Sequence, residues 1–221
     1  MSREIKPRCK KCRRVGMKLF LKGDKCVSDK CVLPRRMEPE GGARGGVRGG
    51  VRGGMGRRRA RSRKLSAYSV QLREKQKVKA IYGVGETQFH NYFRRAAKEP
   101  STGEALISSL EARLDNVVYR LGFANSRPEA RQIVRHGHVT VNARRINLPS
   151  YGVAAGETIV VRGGKSLERI QSTLANRDPS LVGWLTLDRE QMKGAVVRLP
   201  EAEDIKDMIA NVQLIVELYS R

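Results

Sequence analysis

The sequence predicts an α+β fold in which a mostly helical domain carries an inserted module of two helices and a short β-sheet. A four-cysteine metal knuckle and a basic Gly/Arg-rich extension precede them. All four cysteines lie in the first 31 of 221 residues, a Gly- and Arg-rich stretch follows, and the apolar spacing later changes from three or four residues to two. The predicted boundaries are 1–40 for the knuckle, 41–64 for the extension, 65–109 plus 165–221 for the helical domain and 110–164 for the module.

The spacing of the cysteines is typical of a metal site. Cys9 and Cys12 form a Cys-x2-Cys pair, and Cys26 and Cys31 form a Cys-x4-Cys pair that can complete a tetrahedron around one ion. Disulfides fit less well because the N-terminal residues contain no apolar signal-peptide core, and a redox pair is expected between a strand and a helix. Zinc (Zn²⁺) is the predicted cofactor, with an iron–sulfur cluster as the alternative because four thiolates also hold one.

The charge of the chain predicts a polyanionic partner. Lys and Arg number 45 against 22 Asp and Glu, which leaves a formal net charge of +23. Residues 1–64 hold 22 basic and 5 acidic side chains, so the N-terminal third is the most basic part. Spanning a membrane needs ~20 apolar residues, and surface binding needs an apolar helix face beside the basic run. The sequence shows neither feature, so nucleic acid is the predicted partner and a membrane is not.

A Gly-Gly-X-Arg repeat occupies residues 41–56 and cannot form a core. Glycine lets the backbone approach phosphates closely and arginine donates forked hydrogen bonds, which favours RNA contact over a linker that is merely basic. In the denser basic cluster that follows, phosphate binding is favoured over a solvated charge run or a localisation signal. The predicted RNA-contacting residues of the extension are Arg44, Arg48, Arg52, Arg57, Arg58, Arg59, Arg61, Arg63 and Lys64.

Apolar residues at three- and four-residue spacing predict three helices after the extension. On the first helix, Lys75 and Lys77 are predicted to extend the RNA-binding surface, with a solvated helix face as the alternative. The aromatic residues of the second helix are predicted to be core. The predicted limits are residue 65 to Gly83 for the first helix, Glu86 to the residue before Pro100 for the second, and Ser101 or Thr102 to Gly122 for the third.

A fourth helix is predicted to begin at Ser126, which forms a capping box with Glu129. Basic residues recur every four positions along it and therefore share one face. Alternating residues 138–142, a turn at 143–145, a returning segment at 146–149 and a strand at 158–161 predict a small sheet. The residues predicted to contact phosphates here are Arg127, Arg131, Arg135, His136, His138, Arg144 and Arg145. Beyond the module, a helix is predicted at 166–175, short strands at 184–185 and 195–199, and a terminal helix at 204–219.

Residues 114–163 resemble the small RNA-binding module named after ribosomal protein S-four. Pseudouridine synthases and tyrosyl-tRNA synthetases carry the same module, so it does not define a function alone. Segments 72–77, 82–84 and 214–221, together with the cysteine knuckle, resemble the family of bacterial-type small-subunit ribosomal protein four. The chain departs from that family in two places: the Gly-Gly-X-Arg repeat replaces a Pro-Pro-Gly type of loop, and Ala143 stands where the module usually has glycine.

The resemblance implies a structural constituent of the small ribosomal subunit that binds the 5′ domain of 16S rRNA and nucleates 30S assembly. It further implies a place near the mRNA entry path, a contribution to translational accuracy, ribosomal proteins three and five as neighbours, and a ribosome in the cytoplasm or plastid stroma. The sequence contains no Ser-His-Asp signature, phosphate loop or His-Glu-x-x-His motif, so no enzyme is predicted. A free RNA-binding regulator or assembly chaperone is the alternative, but it leaves the helical domain and tail unexplained.

Overall fold

The computed structural model describes residues 7–33, 66–162, 165–176, 182–201, 204 and 210–220. The Gly/Arg-rich extension lies outside the described residues, so its RNA contacts stay predictions. The helices are α1 (Arg8–Val15), α2 (Asp24–Val27), α3 (Ala67–Tyr82), α4 (Glu86–Ala96), α5 (Thr102–Glu111), α6 (Leu114–Arg120), α7 (Arg127–Arg135), α8 (Lys165–Asn176) and α9 (Val212–Tyr219). The strands are β1 (Val139–Val141), β2 (Arg144–Arg145), β3 (Thr158–Val161), β4 (Leu185–Asp188) and β5 (Lys193–Val196).

One apolar core is built from α3, α4, α5 and α9. Val78, Phe89, Leu110 and Ile215 are fully buried in it because their spacing places them on the inner faces of these helices. The first two predicted helices are confirmed, and Gly83 ends α3 in the left-handed conformation with φ 63°. Leu19 and Leu21, from the segment that carries the cysteines, pack into the same core. The N-terminal unit is therefore anchored on the helical part of the protein.

The prediction of a single third helix from residue 101 or 102 to Gly122 is wrong. The chain leaves the helical conformation at Arg113, where φ is −71° and ψ is 136°. The backbone there pairs with a distant loop, because Leu114 N donates to Tyr151 O at 2.8 Å and Val153 N donates to Ala112 O at 2.8 Å. Apolar residues line both sides of the break, so the periodicity continues across it. The break separates α5 from α6, the first helix of the module.

The strands form one antiparallel sheet in the order β2-β1-β3-β5-β4. The β4–β5 hairpin joins this sheet through β3, with Ala195 opposite Thr158. Trp184, fully buried, packs into a second core with Leu121, the residue that follows α6, and with Ile159 of β3, and α8 joins the same core. α8, β4 and β5 therefore pack with the module, which differs from their expected return to the helical domain. Among the described residues beyond 196, α9 makes that return.

Several local predictions are also corrected. The turn of the first hairpin is formed by Asn142 and Ala143, with φ of 47° and 64°, so Arg144 and Arg145 lie on a strand. The segment 146–149 is not a strand. The terminal helix, predicted to begin at residue 204, begins at Val212. The capping box is incomplete, because the Glu129 carboxylate accepts from the amide of residue 125 at 3.1 Å and the residue 126 side chain makes no capping bond. No helix of the described segments is long and apolar enough to cross a membrane.

Candidate nucleic-acid interface

Three segments of the chain form most of the lining of one cleft of about 400 Å³. These segments are the start of α1, the end of α3 and the exposed face of α7. The basic side chains of the lining are Arg8, Lys11, Arg127, Arg131 and Arg135, and His136 lies beside them. Among the described lining residues, Asp115 is the one carboxylate. A concave surface with this charge can hold a chain of phosphates.

The three arginines of α7 line the cleft together, as their four-residue spacing predicts, but they are engaged differently. The Arg127 side chain is 18% exposed and its Nε donates to Asn116 Oδ1 at 2.7 Å. The Arg131 side chain is 19% exposed and forms an ion pair with Asp115 at 3.3 Å. Arg135 is exposed at the far end of the helix. Its guanidinium is therefore the most accessible of the three to a phosphate.

The β1–β2 hairpin brings more basic groups to the end of α7. Arg145 Nη2 donates to the carbonyl of His136 at 3.2 Å, while Arg144 and Arg145 are both exposed. Gly137, with φ +72°, permits this contact because a Cβ at that position would lie 2.2 Å from Arg145 Nε. The rings of His136 and His138 lie 6.0 Å apart at the same corner. The helix end and the hairpin therefore lie side by side, and their contacts to phosphates stay a prediction.

The lysines of α3 are not brought to the cleft. Lys75 forms an ion pair with Glu86 at 2.9 Å, and Lys79 pairs with the other oxygen of that carboxylate. The Lys77 side chain is 7% exposed and pairs with Glu74 at 2.7 Å. The ammonium groups of Lys75 and Lys77 are therefore paired with carboxylates of the protein itself. Their predicted role in extending the RNA-binding surface stays a prediction.

Replacing Glu86 by Gln is expected to lower the stability only above acidic pH. Burial alone would raise the pKa of Glu86, but Lys79 and Lys75 outweigh it and lower the pKa to about 2. The stabilisation is thus fully present above the ordinary value of 4.5 and is lost as the pH falls toward 2. Because this carboxylate is half exposed, we expect Glu86→Gln to cost no more than about 1 kcal/mol at pH 7. Urea unfolding of both proteins should show that their difference in stability is smaller at pH 2 than at pH 7. An equal difference at the two pH values would contradict this assignment.

A buried ionic network lies behind the cleft. The Glu111 side chain, 2% exposed, accepts two hydrogen bonds from Arg120 at 3.1 Å, one from Asn116 at 2.6 Å and one from the hydroxyl of Tyr82. Burial would raise the pKa of Glu111, but the charges of Arg120 and Arg127 outweigh it and hold that pKa below its ordinary value. Burial and the adjacent Glu111 raise the pKa of Tyr82 well above its usual value. The network connects α3, α5, α6 and α7 with a fully satisfied carboxylate.

Sequence reasoning missed two groups of residues at this site. Arg8 and Lys11 alternate with the first two cysteines and were assigned only to a metal knuckle, although their three-residue spacing on a helix indicates a shared face. Glu111 and Arg120 were missed because they lie within an apolar helical pattern. A carboxylate inside such a pattern indicates a buried ion pair, since charged groups are rarely buried without partners.

The four cysteines lie in the described N-terminal unit as thiols. Burial raises the pKa of Cys12, a backbone hydrogen bond at Leu19 lowers it, and the thiols of Cys26, Cys9 and Cys31 raise it further, so that it lies above its ordinary value. The backbone amide of Lys22 donates to Cys26 Sγ at 3.3 Å, a contact that also suits a metal-bound thiolate. Within the described ranges, no three His, Cys, Asp or Glu side chains are arranged to hold a metal ion. The donor chemistry fits a soft metal, and the zinc site remains a prediction.

A basic cleft beside a module of two helices and a small sheet is typical of a nucleic-acid-binding protein. The family model "Ribosomal protein S4/S9 N-terminal domain" matches residues 3–111, and the model "S4 domain" matches residues 112–159. The chain therefore belongs to the ribosomal protein S4 family, whose members are structural proteins and not enzymes. The boundary between the two family models falls at the break between α5 and α6.

Relatives match along the whole chain. The chain is 49% identical over 224 residues to "Small ribosomal subunit protein uS4" of Thermus thermophilus, with 100% of both chains covered. Proteins of the same description from Thermodesulfovibrio yellowstonii and Fervidobacterium nodosum are 48% and 45% identical, again with 100% of both chains covered. Family membership thus rests on the full length and not on the module alone.

Proposed function

We propose that this protein binds the 5′ domain of 16S rRNA as a primary binder and nucleates assembly of the small ribosomal subunit. The observation that carries the proposal is the convergence of basic side chains from α1 and α7 in one cleft. Those segments are more than a hundred residues apart in the chain, so the charges meet only in the folded protein. Such a surface reads the shape of folded RNA through its phosphates.

The proposal includes the surroundings of the protein in the ribosome. Ribosomal proteins three and five are its proposed neighbours, and the mRNA entry path is proposed to lie close by, where the protein contributes to translational accuracy. The ribosome concerned is cytoplasmic, or lies in the plastid stroma if the host is an organelle. These points rest on the family resemblance, while RNA binding itself also rests on the cleft and on the net charge of +23.

Equilibrium binding to the 5′ domain of 16S rRNA, with excess tRNA as competitor, tests the proposal. We expect binding that resists the competitor and weakens steeply with salt, because each neutralised phosphate contributes roughly 0.7–0.9 to the slope of log K against log salt. Equal affinity for the two RNAs would contradict a primary rRNA binder and would favour the free regulator or assembly chaperone. The full chain is used with both RNAs, so the extension contributes to binding in each case.

We also propose that Cys9, Cys12, Cys26 and Cys31 hold one Zn²⁺. Elemental analysis of the purified chain is expected to find about one zinc per molecule, and Cys9→Ser is expected to reduce that content and lower the melting temperature of the N-terminal unit. Iron with acid-labile sulfide would instead identify the cluster that four thiolates also accommodate. A metal-free chain whose melting temperature does not respond to added zinc would contradict both.

A further inference from the structure

We propose that Arg127 is a positioning residue and not a phosphate ligand. It would hold the start of α7 against the helical part of the protein and thereby fix where the exposed Arg135 presents its charge. This inference rests on the proposed RNA-binding function, and it departs from the sequence-based expectation that all three arginines contact phosphates.

The guanidinium of Arg127 is enclosed by groups of the protein. Its Nε donates to Asn116 Oδ1 at 2.7 Å, and its central carbon lies 4.6 Å and 5.2 Å from the ring centroids of Tyr119 and Tyr82. Its Nη2 lies 3.9 Å from Glu111 Oε1, and the side chain is 18% exposed. A phosphate contact would have to displace a hydrogen bond and stacked contacts that are already desolvated. The enclosed side chain is therefore better suited to holding the fold than to binding RNA.

These contacts bridge the two apolar cores. Tyr82 ends α3 and Glu111 ends α5, both on the helical side, whereas Asn116 and Tyr119 lie on α6 of the module. Arg127 is the first residue of α7 and touches groups from all three helices. Because side chains at four-residue steps lie along one helix face, the position of the start of α7 determines where the rest of that face lies.

The guanidinium shape, and not its charge, is what the site requires. Glu111 is neutralised by Arg120 through two hydrogen bonds at 3.1 Å, so its carboxylate keeps a partner when Arg127 is replaced. A lysine would retain the positive charge but would lack the planar group that stacks on the rings while its Nε donates a hydrogen bond to Asn116. Arg135 offers a matched control, because it lies on the same face of α7 and is exposed.

The experiment compares Arg127→Gln and Arg127→Lys with Arg135→Gln and Arg135→Lys in binding to the 16S 5′ domain across a salt titration. We expect both Arg127 variants to lose about tenfold in affinity while the salt slope stays that of the wild type. Arg135→Gln is expected to reduce the slope by roughly 0.7–0.9, and Arg135→Lys to keep both slope and affinity. Melting temperatures of the free proteins should fall for the two Arg127 variants alone.

The opposite pattern would overturn the inference. If Arg127→Lys restores wild-type affinity while Arg127→Gln reduces the slope as Arg135→Gln does, Arg127 contacts a phosphate. Tyr119→Leu is a second variant that removes a stacked ring without changing charge, and it should lower affinity at an unchanged slope; full affinity in that variant would also count against positioning. If the wild type binds tRNA equally well, the proposed function fails, but the slopes measured on either RNA still decide the role of Arg127.

Discussion

Glu111→Gln is expected to lower the free energy of unfolding by about 3–5 kcal/mol, because it leaves the guanidinium of Arg120 buried without a counter-charge. The substitution preserves the shape of the side chain, so the loss reports on charge and hydrogen bonding and not on a cavity. The wild-type carboxylate is ionised above its lowered folded-state pKa. The difference between the two proteins should therefore persist above pH 4.5 and shrink as the pH falls through that lowered value.

Urea unfolding followed by circular dichroism measures this effect, with Glu190→Gln as the control. Glu190 is exposed in the turn between β4 and β5, so its substitution should change the stability by less than about 0.5 kcal/mol. A loss of under about 1 kcal/mol in Glu111→Gln would show that Arg120 finds adequate solvation without the carboxylate. The network would then not be a main source of stability.

The double substitution Lys11→Gln with Arg135→Gln is expected to weaken binding to the 16S 5′ domain by about 100-fold at a fixed salt concentration. The two side chains reach the cleft from α1 and α7, and each is expected to neutralise one phosphate. The salt slope should therefore fall by roughly 1.4–1.8. Filter binding or fluorescence anisotropy at four or more salt concentrations gives both quantities.

A matched control removes two charges elsewhere. Arg94 and Lys98 are exposed at the end of α4 and just beyond it, outside the cleft lining. Arg94→Gln with Lys98→Gln changes the net charge by the same amount as the cleft variant. If only the cleft variant loses affinity for RNA, the loss comes from local contacts and not from the overall charge of the protein. Equal losses in the two double variants would mean that the cleft is not the preferred phosphate site.

Much of the helical part could be predicted from the sequence because its apolar residues follow a simple period. The limits of α3 and α4 agree with the pattern, and the glycine after α3 marks its end. The break at Arg113 could not be predicted in this way. It is produced by backbone hydrogen bonds to residues 151 and 153, and these leave no trace in the local spacing of apolar residues.

The candidate site was predicted in part. The shared face of Arg127, Arg131 and Arg135 follows from helical spacing alone, and the structure confirms it. Spacing does not show whether a charged group has a partner. Arg127 reads as a surface charge in the sequence, yet amide and ring groups from other helices enclose it. Lys77 also reads as a surface charge, but it is buried and pairs with Glu74 on its own helix.

The family, the overall charge, the helical periods and the four-cysteine spacing can all be recognised from the amino-acid sequence, because each is a property of residue identity and local order. The tertiary structure was needed to show that α8, β4 and β5 pack with the module and that Arg8 and Lys11 of the first helix line the cleft. It also decided which basic groups are already paired. The physical reason is that pairing and burial depend on groups far apart in the chain, and these come within a few ångströms of each other only when the chain folds.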